Sequence, residues 1–129
     1  MIYADEHACI DRLSHNLALA ADKCAAMAKV ANGPTCADLV GHLTQAAGCA
    51  GQLIHYQQGK PEWLGIRDSL ESMAGSVVKM SPMTPHFVWL RVEGVLRQAR
   101  AHALDLADQR SMSRQDTLAT IETHYLPRA

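Results

Sequence analysis

The sequence predicts an all-α fold, a single-domain antiparallel bundle of about five helices, from three observations. Twenty of the 129 residues are alanine, which loses the least side-chain entropy in a helix. Apolar residues recur every three or four positions, and no segment combines a strand-like pattern with turn residues at both ends. Short connectors containing glycine and proline separate the periodic segments, so consecutive helices are expected to lie side by side.

Two helices are predicted in the first half of the chain. The first covers 3–31 and turns one amphipathic stripe toward the core. A glycine and a proline follow it, and Thr35, with an acidic residue three positions later, is expected to cap a second helix over 36–58. Gly59 then ends that helix, because glycine adopts the left-handed conformation found at helix C-termini.

Three more helices are predicted over 61–80, 85–110 and 114–126, and the first two of these begin at a proline. The helix over 85–110 is apolar around more than half of its circumference, which predicts that it lies at the centre of the bundle. The short last helix follows a predicted cap at Ser113. It carries one apolar stripe, formed by Leu118, Ile121 and Tyr125.

Charge and composition narrow the classes of partner and cofactor. Twelve Lys and Arg residues against thirteen Asp and Glu give a formal net charge of −1, so the chain lacks the basic field that attracts nucleic acid or an anionic membrane. No apolar run approaches the ~20 residues of a membrane span, and the first residues are acidic where a secretory signal is basic. We expect a cytoplasmic protein. No phosphate-binding loop or dinucleotide motif occurs, so no cofactor is expected.

The second helix keeps three interior glycines, although each costs about 1 kcal/mol relative to alanine. They belong to a set of small residues opposite the main apolar face, which we call the small-residue stripe: Ala37, Gly41, Thr44, Gly48 and Gly51. Small residues let another helix backbone approach closely. We expect the fourth or fifth helix of the same chain to fill the stripe, or a second copy or partner helix to bind it; a small-molecule pocket is a further alternative.

A third face of the second helix carries hydrogen-bonding or soft side chains, which we call the polar flank: His42, Gln45, Cys49, Gln52 and Tyr56. His42 and Cys49 lie ~10 Å apart along the helix axis, too far for a thiol–imidazole pair. A hydrolase built on this flank would therefore need a base from another helix. We interpret the flank as half-exposed, with Cys49 packed as a small apolar residue. The four cysteines have no zinc-finger spacing and are expected to be reduced.

One set of side chains has the spacing of a metal site. His7, Asp11 and His15 follow one another every four residues, which stacks them along one edge of the first helix, where they could hold a divalent ion. The same edge faces away from the apolar stripe of that helix. We interpret it as a solvated surface and keep metal binding as an alternative.

Arg97 and His102 match the pattern R-x(4 to 6)-H, and through this motif the short helical chain resembles the HEPN class of ribonucleases over residues 97–102. The resemblance implies RNA cleavage by these two residues, at an interface between two copies. On a regular helix the two side chains point about 140° apart, and roughly one such match is expected by chance in this composition. A HEPN-like endoribonuclease is therefore the alternative function.

The connector over 81–85 has apolar character, and Met83 within it is a second candidate contact for a protein partner. No catalytic motif accompanies it or the small-residue stripe. The sequence therefore predicts a small non-enzymatic regulator or adaptor. We expect it to form a homo-oligomer, most simply a dimer, or to bind a partner protein.

Overall fold

Four α-helices run through the part of the chain that the structure, a computed structural model, describes: residues 5–80 and 84–111, the last three as backbone only. Their bounds are α1 Glu6–Lys29, α2 Gly33–Tyr56, α3 Glu62–Val78 and α4 His86–Ser111. No strand occurs among these residues, which confirms the all-α prediction. They hold four helices rather than about five, and the helix predicted over 114–126 lies outside them.

The connector between α1 and α2 differs from the prediction. Asn32, not Thr35, is the N-cap, since its side-chain oxygen accepts a hydrogen bond from the Thr35 N–H at 2.8 Å. α2 therefore begins at Gly33, earlier than expected. The predicted stop after α2 is confirmed, because Gly59 has a φ of +89°, the left-handed conformation that favours glycine.

Contacts between helices show that neighbours run antiparallel. On the α1–α2 seam, Cys9 near the start of α1 contacts Cys49 near the end of α2, at 3.1 Å between the thiol and the carbonyl oxygen. At the opposite end of the seam, Lys23 pairs with Asp38 at 3.5 Å. The α2–α3 and α1–α4 seams run antiparallel in the same way.

The helices pack in the lateral order α3, α2, α1, α4. α1 packs against α2 and α4, and α2 packs against α1 and α3, whereas α3 and α4 make almost no contact within the described residues. The prediction that the fourth helix is central is therefore wrong, since α1 and α2 form the middle of the bundle. Much of the apolar circumference of α4 is uncovered: Phe87, Leu90 and Val95 are 55%, 48% and 45% exposed.

Polar contacts tie all four helices together at one end of the bundle. Gln57 is fully buried; its side-chain oxygen accepts a hydrogen bond from Trp63 Nε1 at 2.8 Å, and its amide nitrogen donates to Glu6. Lys60 Nζ donates to the Leu106 carbonyl at 2.6 Å. These contacts bring together the start of α1, the α2–α3 turn and the last turns of α4. Across residues 5–80 and 84–111, no helix has the length and apolar character that crossing a bilayer requires.

Candidate functional site

The small-residue stripe lies on the outer face of α2, opposite the buried leucines. Ala37, Gly41, Thr44 and Gly48 are exposed, and Gly51 is half-buried. The face is uncharged along its centre, and the Thr44 hydroxyl bonds back to the Val40 carbonyl at 2.9 Å, so it projects little. The stripe is thus a shallow, smooth strip of helix surface.

No other helix in the described part of the chain covers this strip. A Cβ added to Gly41 or Gly48 would have no neighbouring atom within 4 Å, and one on Gly51 would lie 3.4 Å from Cδ of Arg67 on α3. The expectation that the fourth helix fills the stripe is therefore wrong: α4 packs on α1, on the other side of the bundle. The fifth predicted helix lies outside the described residues.

The polar flank is not one surface. Cys49 is fully buried against α1, where its carbonyl accepts the Cys9 thiol, while Gln45 is exposed to solvent. The half-buried His42 ring lies 3.4 Å from the side-chain oxygen of the buried Asn16. The remaining two residues, Gln52 and Tyr56, are half-buried. Two of its residues, His42 and Cys49, therefore belong to the α1–α2 seam.

Burial sets the protonation of the buried groups near this seam. A hydrogen bond to Cys49 and burial raise the pKa of the Cys9 thiol well above its ordinary value. Burial, together with the Glu93 carboxylate, raises the pKa of Cys24 to about 12. Burial, then the charge of Lys23, lowers the pKa of His42. Both thiols are therefore protonated at neutral pH and lack the thiolate that nucleophilic chemistry needs.

The two residues of the ribonuclease alternative lie on different sides of α4. Arg97 faces α1, where its guanidinium pairs with Glu93 at 2.7 Å and with Asp22 at 3.2 Å. His102 lines the gap between α4 and α3, with Glu62 among its neighbours there. Within one chain, the structure does not bring Arg97 and His102 together.

The metal alternative has no cluster of ligands in the described residues. His7, Asp11 and His15 are each exposed on α1. Across residues 5–80 and 84–111, no group of three or more His, Cys, Asp or Glu side chains is placed to hold an ion.

A cavity of about 430 Å³ opens where the end of α1, the start of α2 and the end of α3 meet. Its wall is mainly apolar, with the half-buried Cys36 among the lining residues, and Ala37 of the small-residue stripe also borders it. Gly41, Thr44 and Gly48 lie on open surface. Met83, the second predicted contact, is outside the described residues.

Sequence reasoning missed two features. The buried Gln57 carried no signal, since a glutamine at a helix end normally indicates an exposed residue. The open gap between α3 and α4 was also missed, although its apolar side chains, among them Met73, Val92 and Ala99, stand at helical spacing. A periodic pattern shows which face is apolar and does not show what covers that face.

Comparison with known proteins gives no relative. No protein-family model matches the chain, and neither the curated proteins nor the solved structures contain a match.

Proposed function

We propose that the protein is a small non-enzymatic interaction module that self-associates through the small-residue stripe of α2. The observation that carries the proposal is the open space above Gly41 and Gly48, both exposed in mid-helix. An interior glycine costs about 1 kcal/mol relative to alanine. Within the described chain no close packing offsets that cost, whereas the backbone of another helix lying on the strip would do so.

The stripe suits a second copy of itself. Its five residues lie almost symmetrically on either side of Thr44, and a two-fold dimer requires a surface that is complementary to itself. None of the five carries a charge, so two stripes meet without repulsion. Two helices crossing here would place Gly48 of one copy near Gly41 of the other, where the missing Cβ atoms allow the closest approach.

The catalytic alternatives gain no support from the described residues. Cys49, the thiol of the hydrolase alternative, is fully buried against α1. Arg97 is held by two carboxylates on the far side of α4 from His102. A hydrolase or ribonuclease needs its groups within hydrogen-bonding reach of one substrate. An interaction module makes no such demand.

The test substitutes Gly48→Leu and compares it with Gly94→Leu. Both glycines are exposed in mid-helix, and both have open space where a Cβ would lie. Gly94, however, is the single glycine of α4 and does not belong to a stripe of small residues. Leucine at 48 would hold two α2 backbones apart. We expect it to weaken self-association at least tenfold, or about 1.4 kcal/mol, while Gly94→Leu leaves the dimer unchanged.

Native mass spectrometry over a range of concentrations reads the association, and circular dichroism checks that each variant stays helical. Self-association is contradicted if the wild type remains monomeric at the highest concentration. The assignment to α2 is contradicted if both leucine variants dimerise like the wild type, or if Gly94→Leu is the more damaging change.

A further inference from the structure

The gap between α3 and α4 forms a continuous groove along the bundle. Two cavities of about 550 and 560 Å³ lie in it, one toward the start of α3 and the other toward its end. Ser69 and Met73 line both cavities, so the two join into one groove that follows α3. The other three pairs of neighbouring helices, α1–α2, α2–α3 and α1–α4, pack directly against each other.

The groove has an apolar floor and an uncharged rim along most of its length. Ile66, Met73 and Val92 are half-buried in it, and Val95 is 45% exposed. Serines of α3 form one rim: Ser69, Ser72 and Ser76. A floor of this kind fits the apolar stripe of one amphipathic helix, whose polar side would face solvent.

The segment that follows α4 in the sequence begins near one end of the groove, the end at which α3 starts. Lys60, just before α3, bonds to the carbonyl of Leu106 in the last turns of α4, so the end of α4 and the start of α3 are adjacent. His102 and Glu62 line the cavity at that end. Ser111, the last residue of α4, follows five residues after Leu106.

Residues 112–129, which lie outside the described part of the chain, have the matching pattern. Leu118, Ile121 and Tyr125 are spaced as one face of a helix. Thirteen residues over 114–126 would span ~20 Å, and the 17 residues of α3 span ~25 Å. A tether of a few residues also keeps the local concentration of the segment in the ~millimolar range, which favours it over a second copy.

We propose that segment 112–129 docks into the α3–α4 groove of its own chain as a fifth helix, antiparallel to α4. The segment then covers Val95 and Met73 and closes the last seam of the bundle. The stripe of α2 takes no part in this contact, since it lies on the opposite face of that helix from the core.

Hydrogen exchange measured by mass spectrometry on the full chain tests the proposal. In the wild type, we expect the amides of 116–126 to exchange about 100-fold more slowly than in an unstructured peptide. Val95→Asp places a charge in the groove floor, and we expect it to reduce this protection at least tenfold. The matched control is Ala101→Asp, at an exposed site on α4, which should leave it unchanged.

A second variant changes the docking segment itself instead of the groove. Ile121→Asp should remove the protection of 116–126 while the amides of α1 and α2 stay as protected as in the wild type. The proposal is overturned by any of three results: exchange of 116–126 at unstructured rates in the wild type, equal effects of Val95→Asp and Ala101→Asp, or protection that rises with protein concentration, which would indicate a second copy.

Discussion

The α1–α2 seam and the α3–α4 gap show how differently one bundle treats two pairs of amphipathic helices. Along α1–α2, leucines of both helices are fully buried and a buried asparagine contacts a histidine across the seam. Along α3–α4, the two helices make almost no contact within the described residues, and Val95 is 45% exposed. An apolar helix face is thus buried where a second helix packs against it. An apolar face that no helix covers marks where a further contact is expected.

The two buried tryptophans, Trp63 on α3 and Trp89 on α4, show the same contrast between a group with a partner and a group without one, and they give the largest expected effect on stability. Trp63 Nε1 bonds to Gln57 at 2.8 Å, whereas Trp89 Nε1 has no hydrogen-bond partner among the described residues. Trp63→Phe leaves the buried oxygen of Gln57 without its donor, which costs about 1–3 kcal/mol in addition to the lost volume. Trp89→Phe removes an unpaired donor, so we expect it to cost at least about 1 kcal/mol less.

Urea denaturation followed by circular dichroism measures both variants. Equal losses in the free energy of unfolding would mean that the hydrogen bond from Trp63 to Gln57 contributes nothing, and the contrast between paired and unpaired groups would not extend to these two residues.

Substitution of His42, the histidine in the α1–α2 seam, is expected to have a smaller effect on the free energy of unfolding, and this effect depends on pH. The pKa of His42 is lowered in the folded protein, by burial and by Lys23, so the unfolded chain takes up a proton at higher pH than the folded one. The stability that neutral His42 contributes is therefore complete above the ordinary value of about 6.5 and is lost as the pH falls below it. His42→Gln should flatten the decline in the free energy of unfolding between pH 7 and pH 5.

The control is His55→Gln, at an exposed position on the same helix. If it flattens the pH dependence as much as His42→Gln does, the effect does not come from the seam.

Much of the fold could be predicted from local chemistry. Glycine and proline positions placed the four described helices to within a few residues, and Gly59 ended α2 as expected. Asn32 was missed as the cap because both Asn32 and Thr35 can cap a helix, and local sequence does not decide between them. The position of α4 was missed because a wide apolar circumference can mean either a central helix or an uncovered one.

The candidate site could also be predicted only in part, because local patterns identify a face of a helix but not what covers it. The stripe of α2 stands out in the sequence because interior glycines at helical spacing are costly. Whether α4 covers that stripe is decided by the lateral order of helices, a long-range property that no local pattern contains. The burial of Cys49 was expected from its packing as a small apolar residue, whereas the buried role of Gln57 depends on which helices lie opposite.

The most direct test of self-association through α2 is disulfide formation by Thr44→Cys. Thr44 is at the midpoint of the stripe, so a two-fold contact brings it near its own copy, within the ~4.4–6.8 Å between Cα atoms that a disulfide requires. We predict rapid cross-linking into a covalent dimer under mild oxidation. Slow or absent cross-linking is predicted for Ser72→Cys on α3 and for the wild type, whose own cysteines are buried or half-buried. Equal cross-linking of all three proteins, or none in Thr44→Cys, would contradict self-association through the small-residue stripe of α2.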